Sequence, residues 1–554
     1  MRPWWSALVV VVGCGAPPAR VVGEPTPTAP APDQEVEIAS PPPPAVSIDI
    51  AYDAVGDRWR VGYRFASPVG GMRYRRNRHL FRDEEGWTLE TTGVRWDERD
   101  GYEVAVVEGE PRREIVVSFA TDTKNREKDY KLNLDFTDGS RLLYTGHLAA
   151  WPMEGPDDTA ISWGLEAPGR GVVVLDAVGE GRLRWSRSEV DDRGGTYVYV
   201  GNIEPLRTER LTAIVDPGMP AEMRESTLAD LPRLFDWYGE RVGHQLDFDP
   251  LVLVSFGTEG SGRSLKGGTL TGLVQLQATG RGWLEGSHQD HWFHFLSHEA
   301  FHLWNGQLFP KRGDRTEEWL SEGLSDLFAD QALRHFGYVD DAGFDAAMVK
   351  AANTCLLQAG EAPLLGPKLP YGTYYACGAV YLHVLDAELK NAGSSLDAVL
   401  GRMWARSRQT GGYATADLLF EVQRTTGKAT SLGWLTTALY EGIPSPAADT
   451  LSSWLAGAGI ETRAVGPTQA GVGRQACRRA IVAHLSTCGC GYSVDFSAPK
   501  TEVTLRGCSD RTLTQIGGRS LTTAPCEALE ALDRARVVPA CAPRSTALRL
   551  LAKD

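Results

Sequence analysis

The sequence predicts a multidomain α+β protein, and three observations carry that reading: strand-like alternation near the amino terminus, helical periodicity in the middle, and a cysteine-dense end. Between residues 46 and 217, runs such as SIDIAYD, WRVGYRF, REIVVSFA, KLNLDF, GVVVLDAV and TYVYVGNI alternate apolar and polar side chains between glycine, asparagine and aspartate turns. That is the period-two signature of half-buried strands, so a β-rich domain of sandwich type is expected. Near Met219 the pattern changes to the helical period of AEMRESTLADLPRLFDWYGERVG, followed by the strand LVLVSF, and a second domain is placed at 218–460. Its later part, with AGFDAAMVKAANTCLLQAG, GAVYLHVLDAELK, LDAVLGRMWARS and TADLLFEVQRTT, reads as helices. Residues 470–554 hold six of the nine cysteines and form a third, small unit.

Length and charge frame these divisions. A chain of 554 residues with 42% hydrophobic content and sixteen tryptophans can bury several cores. A formal charge of -14 excludes a nucleic-acid binder, because neutralising phosphates needs a basic face.

The amino terminus bears on the compartment. Arg2 precedes an apolar run from Trp4 to Val12 that is too short to span a bilayer, which fits an export signal. Val11-Val12-Gly13-Cys14 resembles a bacterial lipobox, which implies a lipoprotein signal peptide at 1–14, lipidation of Cys14 and a membrane-anchored lipoprotein of the cell envelope. Gly15 in place of aspartate points to the outer membrane where the host has one. Residues 15–45 are dense in proline without apolar periodicity and are expected to form a semi-extended tether.

The chemistry is concentrated in His298-Glu299-Ala300-Phe301-His302, followed after nineteen residues by Glu322. On a helix, residues four apart share a face, so His298 and His302 can offer imidazole nitrogens to one metal with Glu299 beside it. Catalytic zinc takes three protein ligands, and Glu322 is the natural third, giving one zinc per chain. Glu299 is then the general base of peptide or amide hydrolysis. Asp326, four residues after Glu322, can accept a hydrogen bond from the far nitrogen of a zinc histidine. The segment HWFHFLSHEAFHLWNG is strongly apolar, so two histidines and a glutamate buried there need partners. His288, His291 and His294 read as structural or rim residues.

HEAFHLWNG and WLSEGLSDLF together resemble the gluzincin metallopeptidases, above all the glycyl aminopeptidase family with its HExxHxWN and W-x-x-E-G helices. The nineteen-residue gap and the ExxxD ending are also similar to thermolysin. The resemblance implies a thermolysin-like catalytic domain with a helical carboxy-terminal half, zinc on His298, His302 and Glu322, and a peptide or protein substrate in the cleft. Tyr374-Tyr375-Ala376-Cys377-Gly378 is similar to the Tyr-x-Lys-Gly segment of this clan, which makes Tyr375 the oxyanion donor, with Tyr374 as a rival and Cys377 in place of the lysine. The family's Gly-Gly-x-Glu-His segment corresponds to KGGTLTGLVQLQ, where Gly267 and Gly268 match but Thr269, Leu270 and Thr271 follow. A carboxylate for a free amino terminus is therefore missing, Glu259 being a distant substitute. The glycine pair can still form an edge that takes an extended substrate by strand addition.

The terminal unit, including QIGGRSLTTAPCEALEAL and the glycine loop at Gly489 to Phe496, resembles a PDZ domain, which implies binding of peptide carboxy termini. With Cys14 lipidated, the other cysteines divide into Cys355 and Cys377 in the helical half and six at the end. This split favours disulfides within each unit, Cys355 pairing with Cys377. Together these readings give an aminopeptidase-like zinc metallopeptidase. The alternatives are an endopeptidase or oligopeptidase of the same clan, and a surface-tethered peptide-binding lipoprotein with a vestigial zinc site.

Overall fold

The computed structural model describes residues 46–75, 82, 86–123, 130–154, 161–175, 177–187, 195–313, 317–365, 369–370, 372–427, 430–474, 477–478, 480–481, 491–495, 502–506, 512–532 and 549–553. Cys14, the lipobox, the tether, and Cys488, Cys490, Cys508 and Cys541 lie outside the described residues. Among the described residues, no helix is long and apolar enough to cross a membrane.

The amino-terminal part is built from strands, as its alternation requires. Val46–Asp53 buries every second residue and pairs antiparallel with Arg58–Val69 and parallel with Ile161–Val174. They belong to a nine-stranded sheet whose inner face shares one core with a four-stranded sheet: Ile48, Val61, Tyr63 and Val117 from the first meet Met72, Tyr74, Ala105 and Trp151 from the second.

A buried ion pair sits inside this β-rich part. The fully buried Arg82 pairs with Glu103, donates to the His147 carbonyl and lies 3.7 Å over the Tyr74 ring. His147 hydrogen-bonds the Tyr130 carbonyl at 2.9 Å. Burial pushes its imidazole down to about 3, Arg82 adding to the effect. The unfolded chain therefore takes up a proton that the native chain refuses, and stability falls as pH drops below about 6.5. His147 should account for about 2 kcal/mol of lost stability between pH 6.5 and about pH 5. Urea midpoints for His147→Gln should fall less over that interval than those of the parent; parallel curves would show that His147 does not set the acid limb.

The second layer is a five-stranded sheet in the order Leu206–Arg207, Thr212–Val215, Leu251–Gly257, Leu273–Thr279, Ser264–Leu270. Thr212–Val215 runs parallel to Leu251–Gly257, so this sheet starts before residue 218, where the change to helical periodicity puts the domain start. A strand that precedes the first helix reads in sequence like those before it; only its pairing shows which sheet owns it. One face of this sheet packs on the amino-terminal sheet through Leu142, Tyr144 and Val173 against Ile214, Leu253 and Leu273. Asp216, fully buried, locks the joint by accepting from the amides of Thr137, Gly218 and Phe256 at 3.1, 2.9 and 3.0 Å.

The opposite face carries the helices: α1 (Ala221–Val242), α2 (Gln289–Phe301), α3 (Glu318–His335), α4 (Asp341–Gln358), α5 (Gly372–Asn391), α6 (Leu396–Thr410), α7 (Thr415–Thr426), α8 (Thr430–Tyr440) and α9 (Ala447–Gly457). The helical segments expected in the later part of the chain form α4 to α7. Two of these helices are capped by side chains: Asp340 accepts from the Gly343 amide and Ser395 from that of Ala398.

The end of the chain returns to this half. Leu550–Lys553 pairs antiparallel with Thr462–Val465. Buried Asn353 of α4 donates to the Leu551 carbonyl at 2.8 Å and accepts from its amide at 2.7 Å. Within the terminal unit the described residues include a sheet of Gly491–Asp495, Glu502–Arg506 and Thr512–Leu513 and a helix at Pro525–Leu532. Gly491–Asp495, expected as part of a glycine loop at 489–496, form a strand instead, paired with Glu502–Arg506, and the other residues of that stretch lie outside the described residues. Disulfides join Cys355 to Cys377, as expected, and Cys477 to Cys526.

Candidate metal centre

Two helices assemble the site. Four-residue spacing places His298 and His302 on one face of α2, with His302 at its carboxy-terminal cap. Glu322 projects from the second turn of α3. His298 Nε2 and His302 Nε2 are 3.2 Å apart, and Glu322 Oε2 lies 3.3 Å from the first and 3.4 Å from the second. A tetrahedral zinc ion with ligands at about 2.0–2.1 Å separates those ligands by roughly 3.3 Å. The triangle therefore fits a zinc ion, and among the described residues it is the one such group of histidine, cysteine and carboxylate ligands.

The surroundings hold each group in a useful state. His298 Nδ1 lies 2.8 Å from Asp326 Oδ1, which fixes the proton on Nδ1 and leaves Nε2 as the metal-facing lone pair. Burial raises the Glu322 carboxyl, but the two facing imidazoles outweigh it and hold the group well below the usual carboxylate range. Asp326 is likewise lowered against burial by its bond to His298. Glu299 moves the other way: burial pushes its carboxyl up, and the negative charges of Glu322 and Asp326 add to burial against the two imidazoles. A carboxylate with its proton affinity raised in this way is suited to general-base work.

Tyr375 reaches the site from α5, its ring stacked on that of His298 with centroids 5.5 Å apart and planes at 14°. Its rival Tyr374 is buried in the main core. The position of α5 depends on two glycines. A Cβ on Gly323 would lie 2.5 Å from Gly378 Cα, and one on Gly378 would lie 2.2 Å from the Trp319 carbonyl oxygen. The two helices thus cross backbone to backbone immediately after Glu322, and the Cys355–Cys377 disulfide ties α5 to α4 beside the same crossing.

Gly267 and Gly268 lie on Ser264–Leu270, the edge strand of the five-stranded sheet. The Thr269 hydroxyl donates to the Glu299 carbonyl at 2.6 Å, which joins this edge to the metal helix at the base. Gly267 approaches the neighbouring strand too closely for a side chain, a Cβ there meeting the Gln275 carbonyl at 2.4 Å. Gly268 faces Tyr130, whose hydroxyl is 3.3 Å from an added Cβ. Glu259 is exposed in the loop after Leu251–Gly257. His291 stacks on Trp283 at 5.4 Å and His294 pairs with Asp330 at 3.3 Å, both outside the ligand triangle.

Sequence reasoning assigned no role to Asn305 and Tyr413, whose side chains meet in the buried wall behind the site. Asn305 stands inside the motif stretch HLWNG, so a signal was present; Tyr413 offers none.

No family model matches the sequence, and no curated protein does. Among solved structures, an aminopeptidase N family protein from Idiomarina loihiensis superposes with a TM-score of 0.57 at 16% identity, covering 83% of this chain and 85% of that one. The chain shares that fold. Native yeast LTA4 hydrolase matches with a TM-score of 0.45 at 11% identity over 72% of this chain and 68% of its own, and its Bestatin complex with 0.44 at 10% over 72% and 67%. Within the aminopeptidase-N-like fold, the β-rich amino-terminal part and the helical half stand on opposite faces of the five-stranded sheet.

Proposed function

We propose that the chain is a zinc-dependent metallopeptidase that hydrolyses peptide bonds, aminopeptidase-like in its architecture. The observation that carries the proposal is the triangle of His298, His302 and Glu322 with Asp326 behind His298. Zinc held there supplies Lewis-acid polarisation of the scissile carbonyl and acidification of water to a pKa of about 7. Glu299 removes the proton from the attacking water and returns it to the leaving amine. Tyr375, beside His298, donates to the oxygen that becomes negative, a contribution of about 3 kcal/mol for a positioned donor. The edge strand at Gly267 and Gly268 aligns the extended substrate through backbone hydrogen bonds. The motif likeness to glycyl aminopeptidases and the fold of the Idiomarina protein both support this class. Envelope anchoring through Cys14 and peptide-terminus binding by the PDZ-like unit belong to the same proposal.

A second reading, endopeptidase, is favoured by one feature. Thr269 spends its hydroxyl on the Glu299 carbonyl, and the strand offers no carboxylate between Gly267 and Gly272 to hold a substrate ammonium. The zinc-loaded protein should be given matched peptide pools with free or acetylated amino termini and the cuts mapped by mass spectrometry. Single residues released only from free-amine peptides are expected of an aminopeptidase, and internal cuts in both pools of an endopeptidase. Tight peptide binding without cleavage in either pool would replace the enzyme with a peptide-binding protein.

A further inference from the structure

The helix that carries the two histidines does not simply end after His302. At Leu303–Leu308 the chain makes a wide turn of π type with a kink at Asn305, whose φ and ψ are -89° and 67°, followed by Gly306 at φ 154°. Wide turns of this kind break helices at functional sites. This one aims Asn305 in two directions. Its backbone carbonyl lies 3.4 Å from His302 Nδ1, and its side-chain amide donates at 2.8 Å to the carbonyl of Ser321, the residue before Glu322.

The other end of the amide is also engaged. The Tyr413 hydroxyl donates to Asn305 Oδ1, and both side chains are fully buried. Tyr413 is held in turn by backbone bonds, its amide donating to the Pro310 carbonyl at 2.9 Å and its carbonyl accepting from the Arg312 amide at 2.6 Å. Asn305 therefore spans α2 and α3 with its donor and acceptor both used, an arrangement that fixes which way the amide points.

We propose that Asn305, oriented by Tyr413, is a positioning residue for the metal centre. The Asn305 backbone carbonyl can only accept, and the Ser325 hydroxyl, also 3.4 Å from His302 Nδ1, donates to the Ser321 carbonyl and is left to accept. The two together keep the His302 proton on Nδ1 and Nε2 free for the ion. The same residue fixes the backbone from which Glu322 projects. His302 and Glu322, on different helices, are thus registered through one buried residue, by its backbone carbonyl and its side-chain amide, whereas His298 is served separately by Asp326. The proposal rests on the zinc site assigned above.

The test is zinc affinity by chelator competition, together with the visible spectrum of the cobalt-substituted protein and the melting temperature of the metal-free protein. Asn305→Asp keeps the acceptor for Tyr413 but sets a carboxylate against the Ser321 carbonyl; Tyr413→Phe removes only the hydroxyl that orients the amide. Asn305→Asp should weaken zinc binding by roughly 10–100-fold and shift the cobalt bands. Tyr413→Phe should act in the same direction and less. A lowered melting temperature with parental zinc affinity and cobalt spectrum in both variants would make the pair merely structural and overturn the proposal. If Asn305→Asp does not fold, Tyr413→Phe decides by the same readouts. A parent chain that binds no zinc would instead remove the site assignment itself.

Discussion

Replacing Glu299 by glutamine should leave a folded, zinc-loaded protein whose peptide hydrolysis is slower by roughly 10²–10⁴-fold. Glutamine matches the carboxylate in shape and leaves the backbone carbonyl that receives the Thr269 hydroxyl untouched, so the edge strand keeps its hold on α2. Only proton acceptance is lost. The parent side chain is suited to that task because burial, with Glu322 and Asp326 nearby, raises its affinity for a proton. The loss should fall on kcat, since the substitution removes an interaction made as the proton moves rather than one that binds substrate. Initial rates and metal content measured on the same preparation provide the check. Full turnover by the glutamine variant with one zinc per chain would reassign the base.

The second large effect is expected at a residue with no chemistry of its own. Gly323→Ala should lower the melting temperature by several degrees and depress kcat beyond what the lost stability explains. An added methyl would stand 2.5 Å from Gly378 Cα, 2.6 Å from its carbonyl carbon and 2.9 Å from the Ala379 nitrogen. These are backbone atoms, so no side chain can swing aside, and α5 itself has to move away from α3. Overpacking of this type costs about 1–3 kcal/mol. Tyr375 precedes Gly378 by less than one turn, so displacement of α5 also shifts its ring from His298. Thermal melts with and without zinc, paired with kcat, separate the two consequences. A parental melt and a parental rate would show that the crossing tolerates a methyl and does not set the place of Tyr375.

What the sequence discloses follows from the range of the interactions. His298, His302 and Asp326 were legible because four-residue spacing on a helix is a local rule, and Glu322 because it heads the second patterned helix. The choice between Tyr374 and Tyr375 was open in sequence: neighbours on a helix point about 100° apart, and only the packing of α5 decides which one faces the core. Contacts made across the fold were not legible. Gly323 meets Gly378 through a helix crossing, and Tyr413 meets Asn305 across 108 residues. Neither leaves a periodic trace. The strand Thr212–Val215 carries the same alternation as its predecessors, and its membership of the five-stranded sheet is set by a partner some forty residues later.

The bond between Asn353 and Leu551 gives synthesis and folding an order in time. Their contact spans 198 residues, so the strand that supplies it is translated long after α4. A nascent chain that has already made α2 and α3 still has an amide in α4 with neither of its backbone partners, and such groups cost about 1–3 kcal/mol each if buried unmade. The helical half is therefore expected to stay loose until Leu550–Lys553 has been made and has docked, so that α4 tightens only once a strand far along the chain has joined it.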